Sequence, residues 1–406
     1  MLGRAHRNVR EGPSAGAGRS LVLDGVRGAA ALMIVWNHAY FLSGLVRPAG
    51  RVDAGSVVQQ GLAFGVWIFF ALSGYLIAGP YLRALLTGDE LPSLSRYAVK
   101  RVTRIGPAYW LAFVTAGLLV GVGSISRRQW IVHLLLAHQL VPGESEAILF
   151  VAWTLGYEAI FYVLVPTAAT AIRRLRPGPI PLHQLSVGVV AAIGVGCAWA
   201  VIGATALQFT GLHSYAAVVA WSPPFLTGFA VGMLVALATT QQAAATAGHW
   251  TWFAALGRHP LIALTVVAAL DVVGTIMFIH GPLELLGLSV AIHALTGGLV
   301  LCIALWPTAT TRRLLARLAP IGVVSYGVYL WHDVLLIADS RWRWAPWRNS
   351  SNEAWAAHVV LLTIASLAAG IASWYLVERP CMRFASRWLD RHTGDRAPHA
   401  ATLAAT

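Results

Sequence analysis

The chain contains 406 residues, of which 57% are hydrophobic and 11% are charged, and its formal net charge is +13. Soluble globular proteins carry about 25% charged residues, so this chain has too few polar side chains to cover a water-soluble surface. The composition therefore excludes a soluble enzyme and a disordered chain. The three cysteines, Cys197, Cys302 and Cys381, lie far apart, which excludes a disulfide framework.

Long apolar segments recur along the whole chain. Because a transmembrane helix needs about 20 mainly apolar residues, the sequence predicts an all-α, polytopic membrane protein with about ten transmembrane helices. The apolar stretch 131–141 is too short to span a bilayer and is interpreted as a re-entrant or interfacial helix. The predicted spans are residues 21–44, 59–79, 106–122, 150–171, 186–206, 220–238, 252–274, 285–306, 322–338 and 357–377.

The basic residues indicate the orientation. In a ten-span topology, most of the 29 lysines and arginines fall in segments on the same side of the membrane as the N-terminus. Since such residues concentrate in cytoplasmic loops, both termini are predicted to be cytoplasmic, in a bacterial-type plasma membrane. These loops account for the positive charge, so no nucleic-acid partner is predicted. The predicted organisation is a flexible basic tail over 1–19, a membrane domain over 20–385 and a flexible tail over 386–406.

The first predicted span carries Asp24, Arg27 and His38. Ionisable residues inside a membrane are costly, which makes them candidates for a functional site. Helical geometry places Arg27 and His38 on one face about 16 Å apart, with Asp24 one turn before Arg27 and able to pair with it. The arginine suits a phosphorylated ligand, and the histidine suits proton removal from a hydroxyl. The alternative is an arginine that reaches the lipid headgroups and a histidine bonded within the bundle.

A second acidic residue, Glu158, lies inside the fourth predicted span, with Thr154 and Tyr162 one turn away on the same face. This glutamate can orient a catalytic imidazole or bind a polar acceptor. It can equally be a neutral, hydrogen-bonded core acid, and the sequence leaves these alternatives open.

A basic segment, interpreted as a loop over 96–105, precedes the third predicted span. Its residues Lys100, Arg101 and Arg104 either provide ordinary cytoplasmic charge or form an anion cradle, for example for a nucleotide pyrophosphate or 3′-phosphate. No metal is predicted, because the sequence contains none of the common metal-ligand motifs.

Six motifs in order resemble the acyltransferase-3 family of integral membrane O-acyltransferases. The spacing of Arg27 and His38, an arginine followed by ten residues and a histidine, is similar to the family's signature. The resemblance covers about residues 20–385. The other five motifs occupy residues 69–77, 100–110, 153–162, 325–332 and 378–380.

Two departures from the family pattern stand out. The family often has an acid just before its paired phenylalanines, where this chain has Trp67 and Ile68. It commonly has two adjacent glutamates followed by glutamine, where this chain has Glu158, Ala159 and Ile160. Glu158 is therefore expected to carry whatever role the pair shares.

The resemblance implies transfer of an acyl group, usually acetyl, from acyl-coenzyme A (acyl-CoA) to a hydroxyl, commonly on a carbohydrate. His38 is expected to act as general base or transient acyl carrier. The residues expected to assist catalysis are Arg27, Glu158 and Asp24. Those expected to bind the donor are Arg27, Lys100, Arg101 and Arg104. Those expected to contact substrate are Tyr162, Trp153 and His332.

Two questions remain open at the level of the sequence. Intramembrane acids, an arginine and a histidine also fit a proton-coupled secondary transporter. For an acyltransferase, the acceptor can be a cell-surface glycan or a glycosylated or macrolide-type natural product.

Overall fold

The structure is a computed structural model and describes residues 21–43, 54–141, 148–210, 225–243, 258–280, 285–346 and 351–392. The predicted tail 1–19 and residues 393–406 lie outside the described residues. The α-helices of the described residues are α1 (Leu21–His38), α2 (Tyr40–Ser43), α3 (Ala54–Leu62), α4 (Gly65–Thr87), α5 (Leu94–Val120), α6 (Arg127–Leu134), α7 (Ala152–Leu175), α8 (Leu182–Thr210), α9 (Leu226–Ala243), α10 (Pro260–His280), α11 (Leu286–Leu305), α12 (Ala309–Trp342), α13 (Asn352–Ser373) and α14 (Arg379–His392).

The described residues contain eight helical segments that are long and apolar enough to cross a membrane. This confirms the all-α, multi-pass architecture. The two remaining predicted spans contain α1, which is 18 residues long and carries Asp24 and Arg27, and a shorter apolar segment, Leu226–Thr240. The count of ten is therefore not reached by length and composition alone.

The basic segment 96–105, predicted to be a loop, is helical, and that prediction was wrong. Helix α5 begins at Leu94, and Ser93 caps it by accepting a hydrogen bond from the backbone N–H of Arg96 at 3.4 Å. Arginine and lysine favour helices, but their charge lowers the local hydropathy, so a hydropathy profile does not detect the helix. Arg101 and Arg104 consequently project from neighbouring positions on one face of a rigid helix.

The segment around 131–141 forms the end of α6 followed by a 3₁₀ turn, His138–Leu140. Two side chains of α5 hold it in place: the Tyr109 hydroxyl donates to the His133 carbonyl at 2.8 Å, and the Trp110 indole donates to the Leu134 carbonyl at 2.9 Å. The segment therefore packs against α5 as a helix end and a turn, not as one helix over 131–141.

Helices α1 and α12 form a closely packed parallel pair. A Cβ atom at Gly25 would overlap the carbonyl oxygen of Leu315, and a Cβ atom at Gly322 would overlap that of Asp24. Small residues of this kind let membrane helices approach backbone to backbone. Both helices rise by the same distance per residue. This register therefore brings His38 opposite His332, which lies about three turns beyond Gly322 in α12.

The C-terminal part of the described chain continues from α13 through a π-helical turn, Trp374–Glu378, into α14. Helix α14 packs against α5 through its buried residues Ala385 and Leu389. The helix extends to His392, past the predicted domain boundary at residue 385. The π-helical turn and α14 thus both lie beside the basic start of α5.

Candidate active site

A cavity lies between α1, α4, α5, α7 and α12, with an empty volume of about 850 Å³ that includes its opening to solvent. Three arginines from α1 and α5 line its basic end, whereas Thr154 and Tyr329 line the end nearer His38. Most other lining side chains are apolar or aromatic. The lining residues are Arg27, Val66, Phe69, Phe70, Ser73, Leu76, Ile77, Arg101, Arg104, Ile105, Thr154, Leu155, Glu158, Tyr162, Ser325, Tyr326 and Tyr329.

Glu158 lies on the cavity wall and is held by two hydroxyl groups. Its Oε1 atom accepts a hydrogen bond from Ser73 Oγ at 2.9 Å and from the Tyr162 hydroxyl at 2.7 Å. The guanidinium of Arg101 lies 5.3 Å from the Tyr162 ring centroid and 5.5 Å from that of Tyr97, within cation–π range. The carboxylate therefore fixes the tyrosine on which the arginine rests.

Arg104 is held by the π-helical turn that precedes α14. Its Nη1 atom lies 4.0 Å from Oε2 of Glu378, and its guanidinium carbon lies 5.6 Å from the Trp374 ring centroid. Glu378 is 1% exposed and also accepts a hydrogen bond from Ser373 Oγ at 3.2 Å. A cation close by favours the ionised form of an acid this deeply buried, and Arg104 also lines the cavity.

The predicted pairing of Asp24 and Arg27 is confirmed. Arg27 Nη1 donates to Asp24 Oδ1 at 3.3 Å, with Asp24 2% exposed. Arg27 also lines the cavity. The acid therefore orients the arginine without removing it from the cavity wall.

His38 lies at the end of α1, beyond the cavity. Its Nδ1 atom is 2.9 Å from Nε2 of His332, and the rings of Phe41 and Phe150 flank it with centroids at 5.8 Å. The Tyr329 ring, which lines the cavity, is 5.7 Å from that of His332. The imidazole pair therefore sits one helical turn beyond the end of the cavity.

Two residues brace this end of the cavity. The Tyr329 hydroxyl bonds Thr154 Oγ1 at 2.7 Å and donates to the Val151 carbonyl at 2.9 Å. The Asp333 carboxylate accepts from the Val151 N–H at 3.1 Å, at the start of α7. The residue next to His332 in the sequence thus fixes the position of α7, and with it Phe150 against His38.

The structure does not bring every predicted residue to the cavity. Lys100 is exposed and is not among the lining residues. Trp153 packs against Phe70 and Phe225, with ring centroids at 6.3 and 4.7 Å, and likewise does not line the cavity. Arg27, Arg101, Arg104, Glu158 and Tyr162 do line it, whereas His332 contacts His38.

The sequence did not indicate three contributions: the bond from His332 to His38, the contact of Glu378 with Arg104, and the place of Tyr329 in the cavity wall. All three residues belong to motifs noted above, so the motifs signalled their positions. Their partners lie far away in sequence, and no local pattern identifies them. Within the residues described, no group of three or more histidine, cysteine, aspartate or glutamate side chains is placed to hold a metal ion.

Sequence comparison finds similar proteins of known name. The chain is 25% identical over 337 residues to the exopolysaccharide production protein ExoZ of Rhizobium meliloti (strain 1021), covering 79% of this chain and 90% of that protein. It is 26% identical over 329 residues to the putative membrane-bound transacylase BcsY of Komagataeibacter xylinus, covering 76% of this chain and 71% of that one.

A shorter match is 38% identical over 96 residues to protein 2 in the picA locus of Rhizobium radiobacter. It covers 23% of this chain and 42% of that protein, so it spans less than half of the relative's length. No solved structure matches the chain significantly.

The multi-pass helical bundle, these relatives and a matching family model identify the chain as a membrane-bound O-acyltransferase. The chain belongs to the acyltransferase-3 family, whose sequence model, described as "Acyltransferase domain", matches residues 21–375. The alternative of a proton-coupled secondary transporter finds no support in these matches.

Proposed function

We propose that this protein transfers an acyl group, acetyl in the first instance, from acyl-CoA to a hydroxyl of a carbohydrate or a glycosylated or macrolide-type natural product. The observation that carries the proposal is the alignment of three features: an arginine-lined end of the cavity, an apolar interior, and His38 one turn beyond the opposite end.

The basic end of the cavity suits the phosphates of the donor. Three arginines line it. Arg27 is bonded to Asp24, Arg101 lies against the Tyr162 ring, and Arg104 lies near the Glu378 carboxylate. Guanidinium groups bind phosphate oxygens through paired, charge-assisted hydrogen bonds. With the donor's phosphates held there, its acyl end enters the apolar part of the cavity and points towards Tyr329.

His38 is proposed to act as the general base. It removes the proton from the acceptor hydroxyl, whose oxygen forms a bond to the thioester carbonyl carbon as the carbon–sulfur bond breaks. The proton then passes from the imidazole to the departing thiolate of coenzyme A, so the protein ends unchanged. The second route open to the same imidazole is transient acylation, followed by transfer of the acyl group to the hydroxyl.

The acceptor is proposed to approach His38 from the side of Phe41 and Phe150. Both rings flank the imidazole, and they are 49% and 53% exposed. Aromatic faces offer a large, rigid contact area, which suits the apolar face of a sugar ring. The relative named as an exopolysaccharide production protein supports a carbohydrate acceptor.

The predicted orientation completes the proposal. With both termini in the cytoplasm of a bacterial-type cell, the basic start of α5 faces the cytoplasmic pool of acyl-CoA, and the ends of α1 and α12 face outward. Donor and acceptor then reach the imidazole from opposite sides of the membrane.

The test uses purified protein in lipid nanodiscs, with acetyl-CoA as donor and cello-oligosaccharides as acceptor probe. The expected results are release of coenzyme A thiol and sugar products heavier by one acetyl group in mass spectrometry. Absence of thioester cleavage by the folded wild-type protein would contradict the proposal. Matched nanodiscs that contain the His38→Ala variant provide the background.

A further inference from the structure

The environment of His38 contains a feature that the transfer reaction alone does not require: a second histidine bonded to it. We infer that His332 is a positioning residue that fixes the tautomer of His38 and makes Nε2 of His38 the basic nitrogen. The inference rests on the proposed role of His38 as general base.

A hydrogen bond to the backbone locates the proton on His332. Its Nδ1 atom lies 3.3 Å from the backbone carbonyl of Val328, one turn earlier in α12. A carbonyl oxygen only accepts hydrogen bonds, so Nδ1 of His332 must carry the hydrogen. His332 is 0% exposed, and a charged imidazolium is costly in such surroundings unless it is paired. The neutral ring therefore has its lone pair on Nε2.

The contact between the two rings then locates the proton on His38. Nε2 of His332 lies 2.9 Å from Nδ1 of His38, a normal hydrogen-bond distance. Since Nε2 of His332 accepts, Nδ1 of His38 must donate. The neutral His38 ring then keeps its lone pair on Nε2, and that nitrogen is free to remove a proton from a hydroxyl.

The groups around the pair leave this assignment intact. Asp333 directs its carboxylate to the Val151 N–H, and the Tyr329 hydroxyl is engaged by Thr154 and the Val151 carbonyl. The flanking rings Phe41 and Phe150 cannot exchange protons. A backbone carbonyl therefore occupies the position that an acid fills in the usual acid–histidine pair. The series of hydrogen bonds runs from the Val328 carbonyl through His332 to His38.

The arrangement also disfavours rotation of the His38 ring. A flip about its side chain would replace Nδ1 with a carbon atom and leave the lone pair of His332 unsatisfied in a buried site, which is unfavourable. The ring centroids lie 5.1 Å apart with the planes 24° from parallel, as expected for an in-line N–H···N bond between the two rings. His332 thus sets both the tautomer and the orientation of the base.

Two substitutions separate positioning from simple packing. His332→Phe keeps a planar ring but removes the acceptor, so kcat should fall roughly 10²–10⁴-fold while the KM for acetyl-CoA stays unchanged. His332→Gln supplies a carbonyl oxygen that can accept from Nδ1, so kcat should stay within about tenfold of wild type. The matched control is His358→Phe, since His358 is also 0% exposed and bonds a backbone carbonyl, that of Pro346, at 2.6 Å.

A spectroscopic measurement reads the tautomer without using activity. Nitrogen-15 NMR of the full protein labelled at histidine, with the His38 signals assigned by their loss in His38→Ala, should show a protonated Nδ1 and an unprotonated Nε2. In His332→Phe this preference should disappear. A His38 ring protonated at Nε2 in the wild type would overturn the inference, as would wild-type kcat in folded His332→Phe. Failure of thioester cleavage by the wild type would instead reject the proposed function, and the NMR result would still decide the tautomer.

Discussion

The Nδ1 atom of His38 lies 2.9 Å from Nε2 of His332, although 294 residues separate the two in the chain. The contact follows from the packing of α1 along α12, whose register is set where Gly25 and Gly322 meet the opposing backbone. Helix packing at one end of the pair thus determines the chemistry available about three turns further on.

This dependence predicts a long-range effect of Gly322→Val. The added side chain would overlap the Asp24 carbonyl and push the helices apart, at a cost of about 1–3 kcal/mol in the free energy of unfolding. The His38–His332 contact should weaken as well, so kcat should fall more than thermal stability alone explains. The control is Gly188→Ala, where a Cβ meets nothing within 4 Å. Equal activities of the two folded variants would show that the register does not matter.

The proposed donor site predicts different outcomes for neighbouring cations. Arg101→Gln and Arg104→Gln should each raise the KM for acetyl-CoA, because each removes a cavity-lining guanidinium. A lost charge-assisted contact costs about 1.5–3 kcal/mol, or roughly 10- to 150-fold. Lys100→Gln should leave the KM close to wild type, since Lys100 is exposed and is not among the lining residues. A similar rise for all three variants would indicate a general electrostatic effect.

Glu158 predicts a contrast between two substitutions. Glu158→Ala leaves the hydroxyls of Ser73 and Tyr162 without their acceptor, so stability should fall by about 1–3 kcal/mol. Glu158→Gln keeps a carbonyl oxygen in place and should unfold at nearly the wild-type temperature. Thermal unfolding in detergent measures both, and equal losses for the two variants would show that these hydrogen bonds are not what Glu158 contributes.

The acceptor side predicts a role for Phe150. Phe150→Ala removes one of the two rings that flank His38, so the KM for cello-oligosaccharides should rise about two- to tenfold at unchanged KM for acetyl-CoA. Phe150→Tyr should retain the wild-type value. Trp342→Ala is the control, because Trp342 is 66% exposed at the same end of the bundle. The same change in the control would point to a lipid-facing role for these aromatics.

Part of the fold and part of the candidate site could be predicted from the sequence. Apolar segments predicted the helical membrane architecture, and helical spacing predicted the Asp24–Arg27 pair and the shared face of Thr154, Glu158 and Tyr162. These predictions succeed because helix geometry depends on neighbours in the chain.

The features that could not be predicted depend mainly on contacts between segments that lie far apart in the sequence. Hydropathy could not show that α5 begins at Leu94, because a charged helix and a charged loop have similarly low hydropathy. Spacing along α12 could not distinguish a histidine that touches substrate from one that bonds His38. The support of Arg104 by Glu378 likewise depends on how the π-helical turn meets α5.

If His38 is the general base, His38→Ala protein in nanodiscs should release coenzyme A thiol from acetyl-CoA much more slowly than the wild type. A positioned general base contributes roughly 10²–10⁴-fold, so the account predicts a loss of kcat at least that large, with acetyl-CoA binding retained because the arginines are untouched. Near-normal kcat in folded His38→Ala protein would contradict the account.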